Sequence, residues 1–187
     1  MKKLMLIVLA LPFWGELSAQ NVALKNNLLY DATLTPNLSL EIGLGKKSTL
    51  DLGAGYNPFE FSDGKQWKHW MVQPEYRYWF CEKFNGTFIG AHLMGGQYSF
   101  AKVDMPMAVF SDLKDYRYEG YYYGGGFVVG YQWILGKKWS LELALGAGYL
   151  RVQYDKYPCA QCGQKLDSGF KNYFGPTKAA VSILFFL

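Results

Sequence analysis

The sequence predicts an all-β protein, an eight-stranded antiparallel up-and-down transmembrane β-barrel. Three observations predict it. Eight segments alternate apolar and polar residues with a period of two, as strands with two unlike faces do. The connections between them alternate between short turns and long loops, as in outer-membrane barrels. Aromatic residues make up 18% of the chain and glycines number 21, while charged residues reach only 18% and mean hydropathy is close to zero. That balance suits residues that alternate between lipid and lumen. No segment after the N-terminal one supplies the ~18 uninterrupted apolar residues of a spanning helix.

The 187 residues suit one domain behind a targeting segment. Residues 1–19 read as a signal peptide. Met1-Lys2-Lys3 is its basic start, Leu4 to Pro12 its apolar core, and Leu17-Ser18-Ala19 before Gln20 its cleavage site. Residues 20–187 then form the barrel domain. The net charge of +4 is mild and the basic residues are scattered, so the sequence carries no nucleic-acid footprint.

The first strand is expected over about Ala23 to Ala32, with Lys25, Asn27 and Asp31 on one face. Thr35-Pro36-Asn37 is a turn. The second runs from about Leu38 to Gly45, where Leu38, Leu40, Ile42 and Leu44 alternate with Ser39, Glu41 and glycines. Lys46-Lys47 turns the chain into a third strand, about Thr49 to Asn57, carrying Asp51. A longer loop leads to the fourth, about Trp67 to Phe80, with Glu75, Arg77 and Trp79 on one face and Trp70, Val72, Tyr76 and Tyr78 on the other. Pro74 within it predicts a bulge or a lost ladder bond. The fifth strand, about Thr87 to Phe100, points Ile89, Ala91 and Leu93 outward and His92 inward, and Gly95-Gly96 could shift its phase. A long connection, about 101–118, precedes the sixth strand, about Glu119 to Leu135. Gly136-Lys137-Lys138 turns into the seventh, about Trp139 to Tyr154, with Glu142 among its polar positions. After a last long loop, Gly175 to Leu187 closes the chain. There Thr177, Ala179, Val181, Ile183, Phe185 and Leu187 share the apolar face, opposite Lys178, Ala180 and Ser182.

A soluble eight-stranded ligand barrel has the same periodicity with its faces exchanged. Two features favour lipid outside. Glycines crowd the polar face, where a narrow lumen needs small residues. Aromatics gather near strand ends as interfacial girdles do: Tyr78, Trp133 and Trp139 at one rim, and Tyr30, Tyr56, Trp70, Tyr121 and Tyr149 towards the other. A lumen of this size is filled by side chains. Lys25, Asp31, Glu41, Asp51, Glu75, Arg77, Glu142 and Lys178 are therefore expected to form its polar network, because unpaired charges would be costly there.

Candidate chemistry is sparse. Cys159 and Cys162 form a C-x-x-C without the βαβ context of a redox motif or two further zinc ligands, which leaves a local loop disulfide or a free thiol pair. His69 lies near the outer rim, but no Ser or acid is fixed beside it by spacing. No catalytic residue, cofactor or metal is expected. Met105, Met107, Val109 and Phe110 form an apolar stretch in a long connection, suited to folding over the barrel mouth or to meeting a partner.

Several stretches carry a resemblance: Lys25-Asn26-Asn27-Leu28-Leu29-Tyr30-Asp31-Ala32, Glu41-Ile42-Gly43-Leu44-Gly45-Lys46-Lys47, Gln73-Pro74-Glu75, Arg77-Tyr78-Trp79-Phe80-Cys81, Gly130-Tyr131-Gln132-Trp133 and Lys171-Asn172-Tyr173-Phe174-Gly175-Pro176-Thr177-Lys178. Through them the chain resembles a domain-of-unknown-function family of small outer-membrane barrels from the Bacteroides group. The resemblance implies an outer-membrane barrel and no settled activity, and it makes the Cys159/Cys162 pair a family trait without an assigned role. The expected function is that of a monomeric structural or interaction protein of the cell envelope, in contact with outer-membrane lipid and with another surface protein through its outer loops. A lipid-modifying enzyme and a small transport or ligand-binding barrel are the alternatives.

Overall fold

The computed structural model describes residues 21–60, 65–102, 115–158 and 163–187. In chain order these form β1 (Val22–Asn27), a one-turn helix α1 (Leu28–Ala32), β2 (Asn37–Gly43), β3 (Ser48–Asn57), β4 (Gln66–Trp79), β5 (Gly86–Ala101), β6 (Arg117–Ile134), β7 (Trp139–Tyr157) and β8 (Asp167–Phe186). The eight strands make one sheet. Each is antiparallel to its chain neighbours, and β8 pairs with β1 to close the ring, with Ala23 opposite Phe186 and Asn27 opposite Ser182. The edge that the terminal strand would otherwise expose is thereby removed.

The first strand is shorter than its sequence suggests. Asn27 is the last residue of β1, still opposite Ser182 of β8, and its side-chain Oδ1 accepts from Leu29 N–H at 3.1 Å, capping α1. The helix ends the period of two, so Asp31 does not enter the lumen. It is exposed, and its carboxylate accepts from Asn37 Nδ2 at 3.0 Å. Tyr30 also leaves the outer face expected of it and turns towards the lumen.

Pro74 costs β4 its pairs with β5 at positions 73 and 74. The register is the same on either side, with Val72 opposite Gly95 and Glu75 opposite His92, so a lost ladder bond and not a bulge accommodates it. The Gly95-Gly96 pair does not shift the phase of β5 either, since Phe88, His92, Gly96 and Tyr98 are all buried.

The register does shift between β7 and β8, where Gly146 opposes Lys178 but Ala147 opposes Pro176. Thr177 is the extra residue of a β-bulge, and Pro176, which has no N–H for the ladder, sits beside it. The bulge breaks alternation locally. Thr177 is buried on the lumen side, not displayed on the outer face, and Lys178 follows it inward.

Strand length rises from 6 residues in β1 to 20 in β8. β8 begins at Asp167, well before the turn expected at Gly175. Its first half carries polar residues on both faces, including Ser168, Lys171 and Asn172, so no hydrophobic alternation marks it. The described strands likewise narrow the long connections to 102–116 and 158–166. The longer strands form a wall beyond β1–β3, and its inner face is packed by Tyr98, Tyr118 and Val152 with Phe100, Tyr122 and Tyr154.

Candidate functional site

The outer surface of the ring is apolar across its middle. Leu38, Leu52, Val72, Leu93, Phe127, Val129 and Leu145 are exposed there, Phe127 to 78%. Among the described residues no Asp, Glu, Lys or Arg points outward between the two aromatic rims. One rim carries Tyr78, Trp133 and Trp139; the other carries Tyr56, Trp70, Tyr121 and Tyr149, all exposed.

The interior is layered. At the short-turn end lies an apolar floor of Trp79, Phe84, Phe88 and Leu184 with Phe186 against it. Phe84 reaches it from the β4–β5 turn, where its backbone takes a left-handed conformation, φ 64°. Trp79 and Phe88 rings stand 4.8 Å apart. The Trp79 indole N–H donates to Thr49 Oγ1 at 3.0 Å, and Thr49 donates to Glu41 Oε1 at 2.6 Å, so the floor is tied to the charged layer above it.

Arg77 is the centre of that layer. Its Nε donates to Glu75 Oε1 at 2.7 Å, and its Nη1 to Glu41 Oε2 at 2.9 Å and to Glu142 Oε2 at 2.6 Å. Nη2 donates to Asp51 Oδ2 at 3.1 Å. The guanidinium also rests 4.4 Å from the Phe88 ring centroid. Lys25 Nζ lies 2.9 Å from both Glu41 and Asp51 and 3.2 Å from Glu142. Lys178 Nζ donates to Glu75 Oε2 at 2.6 Å. Four carboxylates thus share three fixed cations, and the side chains of Arg77, Glu41, Glu75 and Glu142 are fully buried. An ion taken from water loses several kcal/mol of solvation, and dense pairing of this kind offsets it, although Asp51 Oδ1 is left without a hydrogen-bond partner among the described residues.

His92 sits beside this network. Its Nε2 is 3.0 Å from Thr177 Oγ1, and its Nδ1 is 3.9 Å from Glu75 Oε2. Gly146 makes the room: a Cβ there would lie 3.3 Å from His92 Cε1 and 3.1 Å from Lys178 Cβ. The gap left beside the network is about 30 Å³, between Tyr30, Asp51, Gln73 and Lys178. It has room for about one or two waters.

The structure therefore brings together Lys25, Glu41, Asp51, Glu75, Arg77, Glu142 and Lys178 and leaves Asp31 outside. It adds Thr49, His92 and Thr177. Inward parity marks Thr49 and His92 in the sequence, but only the bulge turns Thr177 in. His69 stays apart: its Nε2 is 3.5 Å from Thr35 Oγ1, and its ring lies edge-on to Trp67 and Phe100. The signal segment 1–19, Met105, Met107, Val109 and Phe110, and the Cys159/Cys162 pair lie outside the described residues.

Residues 4–187 match the family described as "Protein of unknown function (DUF3575)", and the chain belongs to that family. No curated protein and no solved structure matches it.

Proposed function

For this member of a family without an established activity, we propose a small outer-membrane β-barrel that serves the cell envelope as a structural or interaction protein, not as an enzyme or a pore. One observation carries the reading: a closed ring of strands with an uncharged apolar belt outside and a buried, multiply paired ion network inside. Water would make so large an apolar surface an aggregation hazard, whereas a bilayer makes it the stable arrangement. The filled lumen and its apolar floor support a plug over a conducting path. The packing of His69 between aromatic rings supports a structural role for it over acyl chemistry. The barrel acts as a monomer, with bilayer lipid around it and its long connections turned towards another surface component.

Membrane fractionation with gel mobility before and after heating tests the architecture. The protein is expected in the outer-membrane fraction with heat-modifiable mobility, and a soluble, heat-indifferent protein overturns the reading. Cross-linking from the long connections, read by mass spectrometry, tests the interaction role, which fails if no surface partner is recovered.

A further inference from the structure

The short-turn end of the ring is strongly basic. Among the described residues it carries Lys46 and Lys47 between β2 and β3, Lys83 between β4 and β5, and Lys137 and Lys138 between β6 and β7, against Glu82. These lysines divide by direction. Lys47 Nζ donates to Phe80 O at 2.9 Å, and Lys138 Nζ stands 5.3 Å over the Phe185 ring, so both follow the outer rim. Lys46, Lys83 and Lys137 instead line, together with the single carboxylate of Glu82, a recess of about 650 Å³ in the mouth of the ring, three cations to one anion.

The recess has a built floor. Phe84, Phe186 and Ile134 line it, with the Phe84 and Phe186 rings edge-to-face at 5.2 Å. The backbone sets the cations side by side, since Lys83 N–H donates to Lys46 O at 3.0 Å. Lys83 Nζ donates to Asn21 Oδ1 and keeps two further N–H groups. Among the described residues none of the three ammonium groups has a carboxylate within ion-pair distance. Grouped like charges repel, and an anion that enters the recess relieves them.

In the membrane reading, on which this step rests for its geometry, bilayer headgroups surround the rim and meet Lys47 and Lys138, whose stems can reach out to them. The axial mouth faces water. Its occupant is therefore soluble, anionic and partly apolar. We infer that this recess binds an acidic peptide segment of a soluble partner on the short-turn side, with carboxylates on Lys46, Lys83 and Lys137 and an apolar side chain on Phe84 and Phe186. A volume of this size takes a few residues of extended chain.

The test uses the full chain in nanodiscs and a fluorescein-labelled hexapeptide, Asp-Glu-Phe-Glu-Asp-Glu, read by anisotropy. Saturable binding is expected to weaken with salt. It should fall about tenfold in the combined Lys46→Gln, Lys83→Gln, Lys137→Gln variant, as the loss of three exposed charge contacts predicts. It should fall severalfold when the peptide Phe becomes Ala, and hold within about twofold in Lys47→Gln, Lys138→Gln. Absence of saturable binding overturns the inference, as does equal loss in both lysine variants. Full competition by inorganic phosphate or by phosphatidylglycerol also overturns it, in favour of a small anion or a headgroup. Heat-modifiable mobility of the same preparation separates the two readings. Inserted protein that ignores the peptide sinks only the recess; peptide bound by protein that never inserts sinks only the membrane reading.

Discussion

Arg77 on β4 and Glu142 on β7 are 65 positions apart in sequence, yet Arg77 Nη1 donates to Glu142 Oε2 at 2.6 Å inside the closed ring. The same guanidinium holds Glu41, Asp51 and Glu75. Removing it leaves four buried carboxylates to Lys25 and Lys178. Arg77→Met is expected to lower unfolding stability by roughly 3–5 kcal/mol in urea titrations of the reconstituted protein. Combining it with Glu142→Gln should cost less than the sum of the two single changes, with a coupling of about 0.5–3 kcal/mol. A strictly additive cycle contradicts the pairing.

Thr177 donates its value through one hydroxyl. Thr177→Val keeps the shape and leaves the His92 Nε2 contact unmade in a buried site. A loss of roughly 1–3 kcal/mol is expected by the same titration, and Thr177→Ser should retain most of the stability. Equal stability of Thr177→Val and wild type would show that the contact contributes nothing.

A substitution at Phe127 tests whether the belt faces lipid or water. It is 78% exposed at mid-belt. Phe127→Arg should cost about 2–4 kcal/mol if that belt lies in a bilayer core. On a surface facing water the same change should stay within about 0.5 kcal/mol. Folding yield and urea midpoint in bilayers decide between them.

Gly126 and Gly136 form a matched pair of tests. A Cβ on Gly126 would stand 2.3 Å from Ala147 O and 2.8 Å from Gly148 Cα, both backbone atoms that cannot retreat without bending the sheet. Gly136, in the β6–β7 turn, has nothing within 4 Å of its Cβ direction. Gly126→Ala should cost about 1–3 kcal/mol, and Gly136→Ala should be tolerated. Similar midpoints for the two variants would refute the close approach of β6 and β7.

Much of this architecture is legible in the chain. The parity of Glu41, Asp51, Glu75, Arg77 and Glu142 places each of them inside, because the side-chain period of a strand is two whatever its partners are. What parity misplaces, it misplaces for local reasons. Asp31 follows an asparagine whose side chain caps a helix, and Thr177 sits at a bulge, so both lie where alternation stops. The early half of β8 is polar on both faces, and a strand without an apolar face has no periodic signal to read.

By itself the sequence determined the strand number, the apolar and polar faces and, Asp31 excepted, which charges turn inward, since these depend on local alternation. The tertiary structure alone decided that Arg77 joins carboxylates from β2, β3, β4 and β7, that a bulge turns Thr177 to His92, and that Lys46, Lys83 and Lys137 share one mouth. Those relations depend on stagger around a closed ring. Each strand sees only its two neighbours in the ladder, and the lumen brings together residues from strands that never pair.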